Sequence, residues 1–261
     1  MDNMILEIKT VQSAAFRVLT EALKEILTDA NFEFDESGLK IMAMDSSHTV
    51  LVHLKLNAEN FEYYHCKNKR ILGINMLNLF KLIKTMGNSD ALTLYLEEGN
   101  ESMLGIKIEN SEKNTVTKYK LNLMDLHEDN IQIPPAVFDS VITMPSVDFQ
   151  KICRDMHNLA ENIEIKSLES QLIFSCTGQF ASQETSIGET SSGLSFVQNQ
   201  NPDEIVQGVF ALKHLVLFSK CTNLCNNIEL YLKNDYPLIL KYQVASLGSI
   251  KLCLAPKCDN D

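Results

Sequence analysis

No stretch of this chain approaches the roughly 18–20 consecutive apolar residues that a membrane-spanning helix requires, although hydrophobic residues make up 45% of it. The N-terminus, MDNMILEIKT, alternates Met4, Leu6 and Ile8. It lacks the basic-then-apolar pattern of a signal peptide, so an intracellular protein without membrane contact is expected. Seven cysteines, an odd number, form no framework of the secreted kind and read as small apolar side chains. Positive charge is scarce: 23 Lys and Arg stand against 34 Asp and Glu, for a net charge of −11. That excludes a polyanion-binding surface unless the few cations share one face.

Catalytic signatures are missing as well. The chain has no G-x-S-x-G and no P-loop. Its six histidines lack metal-ligand spacing, and no carboxylates cluster as a two-metal nuclease needs. Cys221 and Cys225 close a helix without a second pair, which favours a buried structural role over zinc. Ser46-Ser47-His48 sets a hydroxyl beside an imidazole, but neighbours on a strand point to opposite faces, which disfavours a dyad. The expectation is no enzyme, no metal and no cofactor, with a Ser47/His48 hydrolase as the outlying alternative.

What is present is one pattern met twice. Met4–Lys9 alternates like a strand, and Gln12–Leu27 reads as a helix. Ser13 is its expected N-cap, and Ala15, Val18, Leu19, Ala22, Leu23 and Ile26 form its apolar stripe. Strands follow at 32–35, 39–44, 49–56, 61–66 and 69–73, with a turn at Ser37-Gly38. Asn75 caps a second helix that Gly87 stops. Three more strands are expected at 91–97, 103–109 and 117–123.

Past Met124 the order recurs. A strand at 140–144 leads to a helix that Pro145 can start. Strands at 162–167 and 172–178 precede a helix over 210–220, and strands at 227–233, 238–244 and 249–254 close the pattern. The polar run 182–193 reads as an edge strand giving way to loops, and 199–204 as loop. Without gaps, Leu92-Thr-Leu-Tyr-Leu lies over Ile228-Glu-Leu-Tyr-Leu. Phe16 lies over Phe149, and Leu39 over Leu172. Two equivalent α+β domains follow, with strands outnumbering helices. Between them, Met124–Pro135 is polar and turn-rich and ends in Pro134-Pro135, so it cannot continue a helix or a central strand.

Each of the four helices carries two cations: Arg17 and Lys24, Lys81 and Lys84, Lys151 and Arg154, Lys213 and Lys220. If the helices line one surface, an acidic protein can still track a phosphate backbone, without reading sequence. No aromatics interleave with these cations, which argues against stacking on single strands.

Several segments occur in order: Met44-Asp-Ser-Ser-His, Leu123-Met-Asp-Leu, Ile133-Pro134, Lys151-Ile-Cys-Arg-Asp, Tyr242 within Leu-Lys-Tyr-Gln-Val-Ala, and Leu254-Ala-Pro-Lys. Together they resemble the proliferating cell nuclear antigen family, the eukaryotic-type DNA sliding clamps, from about Ile8 to Lys257. The resemblance implies an α+β DNA clamp fold. Its two similar domains would each follow a β-α-β-β-β-α-β-β-β pattern, with helices inside a ring and sheets outside. Expected boundaries are 1–124 and 140–257 for the domains, 125–139 for the connecting loop and 258–261 for a disordered tail.

The resemblance also implies a non-catalytic homotrimer, head to tail, around double-stranded DNA, acting in the nucleus or at a viral replication site. It would tether DNA polymerases, the clamp loader, flap endonuclease and ligase through short peptides. A clamp-like scaffold in a heteromeric ring is the alternative. DNA-facing positions map onto Arg17, Lys24, Lys81, Lys84, Lys151, Arg154, Lys213 and Lys220. The peptide groove maps onto Met44, His48, Leu51, Ile131, Ile133, Pro237, Ala255 and Pro256, and a subunit contact onto Tyr119. Val18 departs from the family's second basic residue on the first helix. Thr49 stands where an apolar β-branched residue is usual, Cys253 where a Tyr commonly lines the groove, and Glu169 replaces a modifiable lysine.

Overall fold

Alternating burial along short strands, and apolar stripes on four short helices, set the architecture. The computed structural model describes residues 4–127, 131, 136–199 and 203–257. The chain forms two compact units. The first comprises residues 1–46, 52–131 and 243–250, and the second 47–51, 132–242 and 251–261.

The first unit runs β1 (Met4–Thr10), α1 (Ser13–Ile26), β2 (Asp29–Asp35), β3 (Gly38–Met44), β4 (Val50–Asn57), β5 (Tyr63–Cys66) and β6 (Arg70–Asn75). It continues with α2 (Met76–Ile83), β7 (Ala91–Glu97), β8 (Met103–Asn110) and β9 (Thr115–Asn122). One sheet has the order β5-β1-β7-β8-β9, and β4-β3-β2-β6 run side by side in another. Pairing is antiparallel, with Ile8 opposite Leu94 and Phe32 opposite Ile41. In β2, every second residue is buried, so Ala30, Phe32 and Phe34 enter the core.

The second unit repeats this order. It runs β10 (Ser140–Pro145), α3 (Ser146–His157), β11 (Asn162–Leu168), β12 (Gln171–Thr177), β13 (Ser182–Gly188), β14 (Ser195–Asn199) and β15 (Val206–Ala211). Then come α4 (Leu212–Phe218), a 3₁₀ turn at Ser219–Leu224, β16 (Asn227–Leu232), β17 (Leu238–Val244) and β18 (Gly248–Leu254). Its strand orders are β14-β10-β16-β17-β18 and β13-β12-β11-β15, position for position those of the first unit.

Five strands, not three, therefore separate the helices of each unit, which corrects the expected β-α-β-β-β-α-β-β-β pattern. β14 and β15 are strands that were not expected; β14 takes in Asn199 from the expected loop, and Phe210 and Ala211 end β15 rather than begin α4. The core face of α1 carries Phe16, Leu19, Thr20, Ala22 and Leu23, while Ala15, Val18 and Ile26 are half-exposed. Ser13 is the first helical residue and not the cap; its hydroxyl donates to Gly87 O at 3.0 Å. Asn75 does cap α2, accepting from the Asn78 N–H at 2.9 Å, an arrangement worth about 1 kcal/mol. Pro145 immediately precedes α3, where its missing N–H costs nothing.

The segment after β9 is pinned at its start. Met124 bridges Gly73 through an N–H···O bond of 2.8 Å, and Asn31 Nδ2 donates to His127 O at 3.1 Å. A Cβ on Gly73 would lie 2.2 Å from Met124 O, so only glycine lets the two backbones meet there. Ile133 and the tail 258–261 lie outside the described residues.

Candidate nucleic-acid interface

Helix composition decides where charge is left over. α1 sets Glu21 and Glu25 against Arg17 and Lys24, and α3 sets Asp148 and Asp155 against Lys151 and Arg154. α2, with the turn through Met86, holds no carboxylate beside Lys81 and Lys84. α4 and its 3₁₀ turn likewise hold none beside Lys213 and Lys220. Of the four helices, only the second of each unit thus carries cations with no carboxylate beside them.

Six of the eight expected cations are exposed: Lys81, Lys84, Lys151, Arg154, Lys213 and Lys220. Among the described residues, no hydrogen bond or ion pair engages the side chain of Lys81, Lys84, Lys151, Lys213 or Lys220. Arg154 is 67% exposed and only approaches Asp155, with Nε 4.0 Å from Oδ1. The side chains opposite them are buried: Leu79 and Ile83 on α2, Phe149, Cys153 and Met156 on α3, and Leu215 and Phe218 on α4.

Arg17 and Lys24 are different. Arg17 is half-buried; Nη1 donates to Met86 O, and Nη2 donates to Asn88 Oδ1 at 2.9 Å. Lys24 pairs with Glu25 and lies 4.9 Å from the centroid of the Phe80 ring on α2. The turn they reach is itself fixed. Gly87 N–H donates to Asp90 Oδ2 at 2.7 Å, and Asn110 Nδ2 donates to Asp90 Oδ1 at 2.6 Å. Ser13, Asn88 and Asp90 escaped sequence reasoning. The one available signal was the turn-forming run Gly87-Asn-Ser-Asp.

The residues expected to receive peptides fall in both units. Met44 and Ile131 belong to the first and are half-exposed. In the second, His48 is exposed, and Leu51, Pro237, Ala255 and Pro256 are half-exposed, so none of these is core. Within that unit Ala255 N–H donates to Thr49 O at 3.1 Å, and Lys257 N–H donates to Val209 O at 2.8 Å. An open cavity of about 680 Å³ in the second unit is lined by Gln207, Val209, Asn234, Tyr236 and Pro256, among others. Cys253 is buried, and burial pushes its thiol up to about 11.

The remaining sequence candidates resolve as follows. Residues 46–48 form a turn, not a strand, with His48 at φ 54°; Ser47 Oγ donates to Thr49 Oγ1 at 3.0 Å. Cys221 is buried, its thiol pushed up to about 12 by desolvation, and Cys225 Sγ donates to Asn227 O at 3.1 Å. Among the described residues, no group of three or more His, Cys, Asp or Glu could hold a metal ion. Tyr119 is half-exposed on β9, opposite Ile106 of β8.

Comparison with known proteins covers nearly the whole chain. Residues 5–131 match the family model for the proliferating cell nuclear antigen N-terminal domain, and residues 132–257 match that for its C-terminal domain. The protein named "Probable DNA polymerase sliding clamp 1" from Paramecium bursaria Chlorella virus 1 is 37% identical over 259 residues, spanning 98% of each chain.

Proposed function

The chain belongs to the proliferating cell nuclear antigen family, and from that membership we propose that it acts as a DNA sliding clamp. Three copies join head to tail in a ring that encircles duplex DNA and tethers a polymerase to it. The observation that carries this reading is charge placement. In a chain of net charge −11, two short helices present exposed cations and hold no carboxylate. Lys81, Lys84, Lys151, Arg154, Lys213 and Lys220 then touch phosphates. Contacts of this kind are weak, salt-dependent and blind to sequence, which lets a closed ring slide. The clamp performs no chemistry of its own.

Ring closure uses sheet edges. β9 and β13 each end a sheet order, so each has one side open to another strand. β9 carries Lys118 and Lys120 and no carboxylate; β13 carries Glu184 and no cation. Exposed apolar residues mark β9 and the approach to β13, Val116 at 56% and Phe180, ahead of β13, at 78%. Opposite charge on two different edges favours a head-to-tail contact, which closes rings. Tyr119 sits within the β9 edge.

Short peptides from polymerases, the clamp loader, flap endonuclease and ligase would anchor on half-exposed apolar side chains of the second unit, Leu51, Pro237, Ala255 and Pro256, beside His48. Such a protein works where DNA is replicated, in a nucleus or at a viral replication site.

The test is topological. After loading, the protein should stay on closed circular DNA and leave once the circle is cut. Light scattering should give three times the chain mass. A monomer at micromolar concentration, held equally on linear and circular DNA, would overturn the reading. A monomer that forms rings only with related chains would point to a heteromeric clamp.

A further inference from the structure

Resting on the clamp reading, we propose that Arg17 is a positioning residue and not a phosphate contact. It staples α1 to the turn that follows α2, and so fixes the helix that presents Lys81 and Lys84.

Three observations carry this. First, both terminal nitrogens of Arg17 are engaged within the protein. Its guanidinium spans Met86 O and Asn88 Oδ1, two acceptors fixed in space just past the end of α2. A cation at a helix C-terminus is favoured there by the helix dipole. A planar fork with two parallel donors suits such a pair far better than a flexible ammonium would.

Second, the same turn is held from other sides. Ser13 Oγ donates to Gly87 O, and Asp90, buried, ties the Gly87 N–H to Asn110 of β8. Lys24 adds a contact over the Phe80 ring of α2 while Glu25 balances its charge.

Third, the second unit makes the equivalent attachment with a neutral residue. In the alignment that lays Phe16 over Phe149, Ser13 falls on Ser146 and Arg17 on Gln150. Ser146 Oγ is within hydrogen-bond distance of Cys225 O and Asn226 O, at 2.7 and 3.0 Å. Gln150 Nε2 donates to Ser219 O at 2.9 Å, just past the end of α4. The position therefore serves to fasten the first helix of a unit to the turn after the second. Charge is incidental to it: one unit uses a guanidinium and the other an amide.

The experiment compares Arg17→Gln, which copies the second unit, with Arg17→Ala, which removes the staple. Two quantities are read on the full-length protein: the salt dependence of its association with a short DNA duplex, and hydrogen exchange at the amides of Met86, Gly87 and Asp90. As a control, Lys81→Ala/Lys84→Ala should reduce the slope of log K against log salt by about 1.8, at about 0.9 per lost phosphate contact. Arg17→Gln should leave both slope and exchange as in the parent. Arg17→Ala should speed exchange at least tenfold and lower the slope as well, because Lys81 and Lys84 lose their fixed position.

A fall of about 0.9 in slope for Arg17→Gln with exchange unchanged would make Arg17 a phosphate contact and overturn the proposal. So would parent-like values of both quantities in Arg17→Ala. If the Lys81/Lys84 control does not change the slope, the DNA-binding reading fails instead, while the exchange measurement still decides the staple.

Discussion

The α1–α2 pair and the α3–α4 pair occupy the same places in two identical strand orders, yet they are held by different chemistry. Both pairs bury a phenylalanine at the same point, Phe16 or Phe149, and both use a serine at the first helical position to reach the turn after the partner helix. The third attachment is Arg17 in one and Gln150 in the other. The exposed cations of α3, Lys151 and Arg154, fall on Val18 and Glu21 of α1. The repeat thus preserves attachments and not charges. Backbone carbonyls at a helix end must be satisfied in either unit, whereas a diffuse field toward DNA needs only enough cations on a face, at no fixed position.

The largest test of that equivalence is in the cores. Phe16→Ala and Phe149→Ala should each cost about 3–5 kcal/mol, because both rings are fully buried. Phe149 also meets Phe174 at a tilt of 60°, with ring centroids 6.4 Å apart, so its loss should be the costlier by about 0.5–1 kcal/mol. Chemical denaturation monitored by circular dichroism reads both. If one substitution costs less than 1 kcal/mol, the two helices are not seated alike.

How much of this could be read beforehand followed from the range of the interactions. The four helices and most strands were legible, because Asn75, Pro145 and strict alternation act locally. β14 and β15 were not. Val206-Gln-Gly-Val-Phe-Ala carries a glycine and joins α4 without a break, so Phe210 and Ala211 read as the start of the helix; pairing with β11 makes them the end of a strand. The stripe on α1 was misplaced by about one residue, since periodicity alone does not show that Phe16 and Thr20 face the core. The cations were identifiable by position. Their engagement was not, because Arg17 meets Met86 and Asn88 only after the chain has folded back.

A smaller effect should separate two glycines that lie in equivalent strands, one residue out of register with each other. Gly73 of β6 and Gly208 of β15 both lie mid-strand and pair with one neighbouring strand, β2 and β11 respectively. A Cβ on Gly73 would meet the carbonyl oxygen of Met124 at 2.2 Å, a backbone atom that cannot give way without breaking the bridge. On Gly208 it would meet the tip of the Phe210 ring at 2.6 Å, which can move. Gly73→Ala should therefore destabilise by about 2–3 kcal/mol and Gly208→Ala by about 1 kcal/mol. Gly73→Ala should also speed exchange at the Met124 amide. Equal losses, with Met124 still protected, would show that the bridge is not what requires glycine.

The smallest effect lies in the turns that join the first two strands of each four-stranded array, β2 to β3 and β11 to β12. In the first unit the turn is tied by charge: a hydrogen bond from Lys40 Nζ at 2.6 Å, and another from Ser37, hold the Asp35 carboxyl well below the usual carboxylate range. In the second, Glu169 takes the left-handed conformation, at φ 53°. A depressed folded-state pKa contributes stability that is complete above the unfolded value, about 3.9, and is lost as pH falls through the folded one. Asp35→Asn should thus lower stability by about 0.5–1 kcal/mol near neutrality, the modest size reflecting partial exposure of the pair. The difference from the parent should shrink once pH drops below about 4. Melting temperatures of Asp35→Asn and the parent from pH 7 down to acid denaturation measure this. A gap for Asp35→Asn that stays constant across the range would mean that the turn is held by shape in both units.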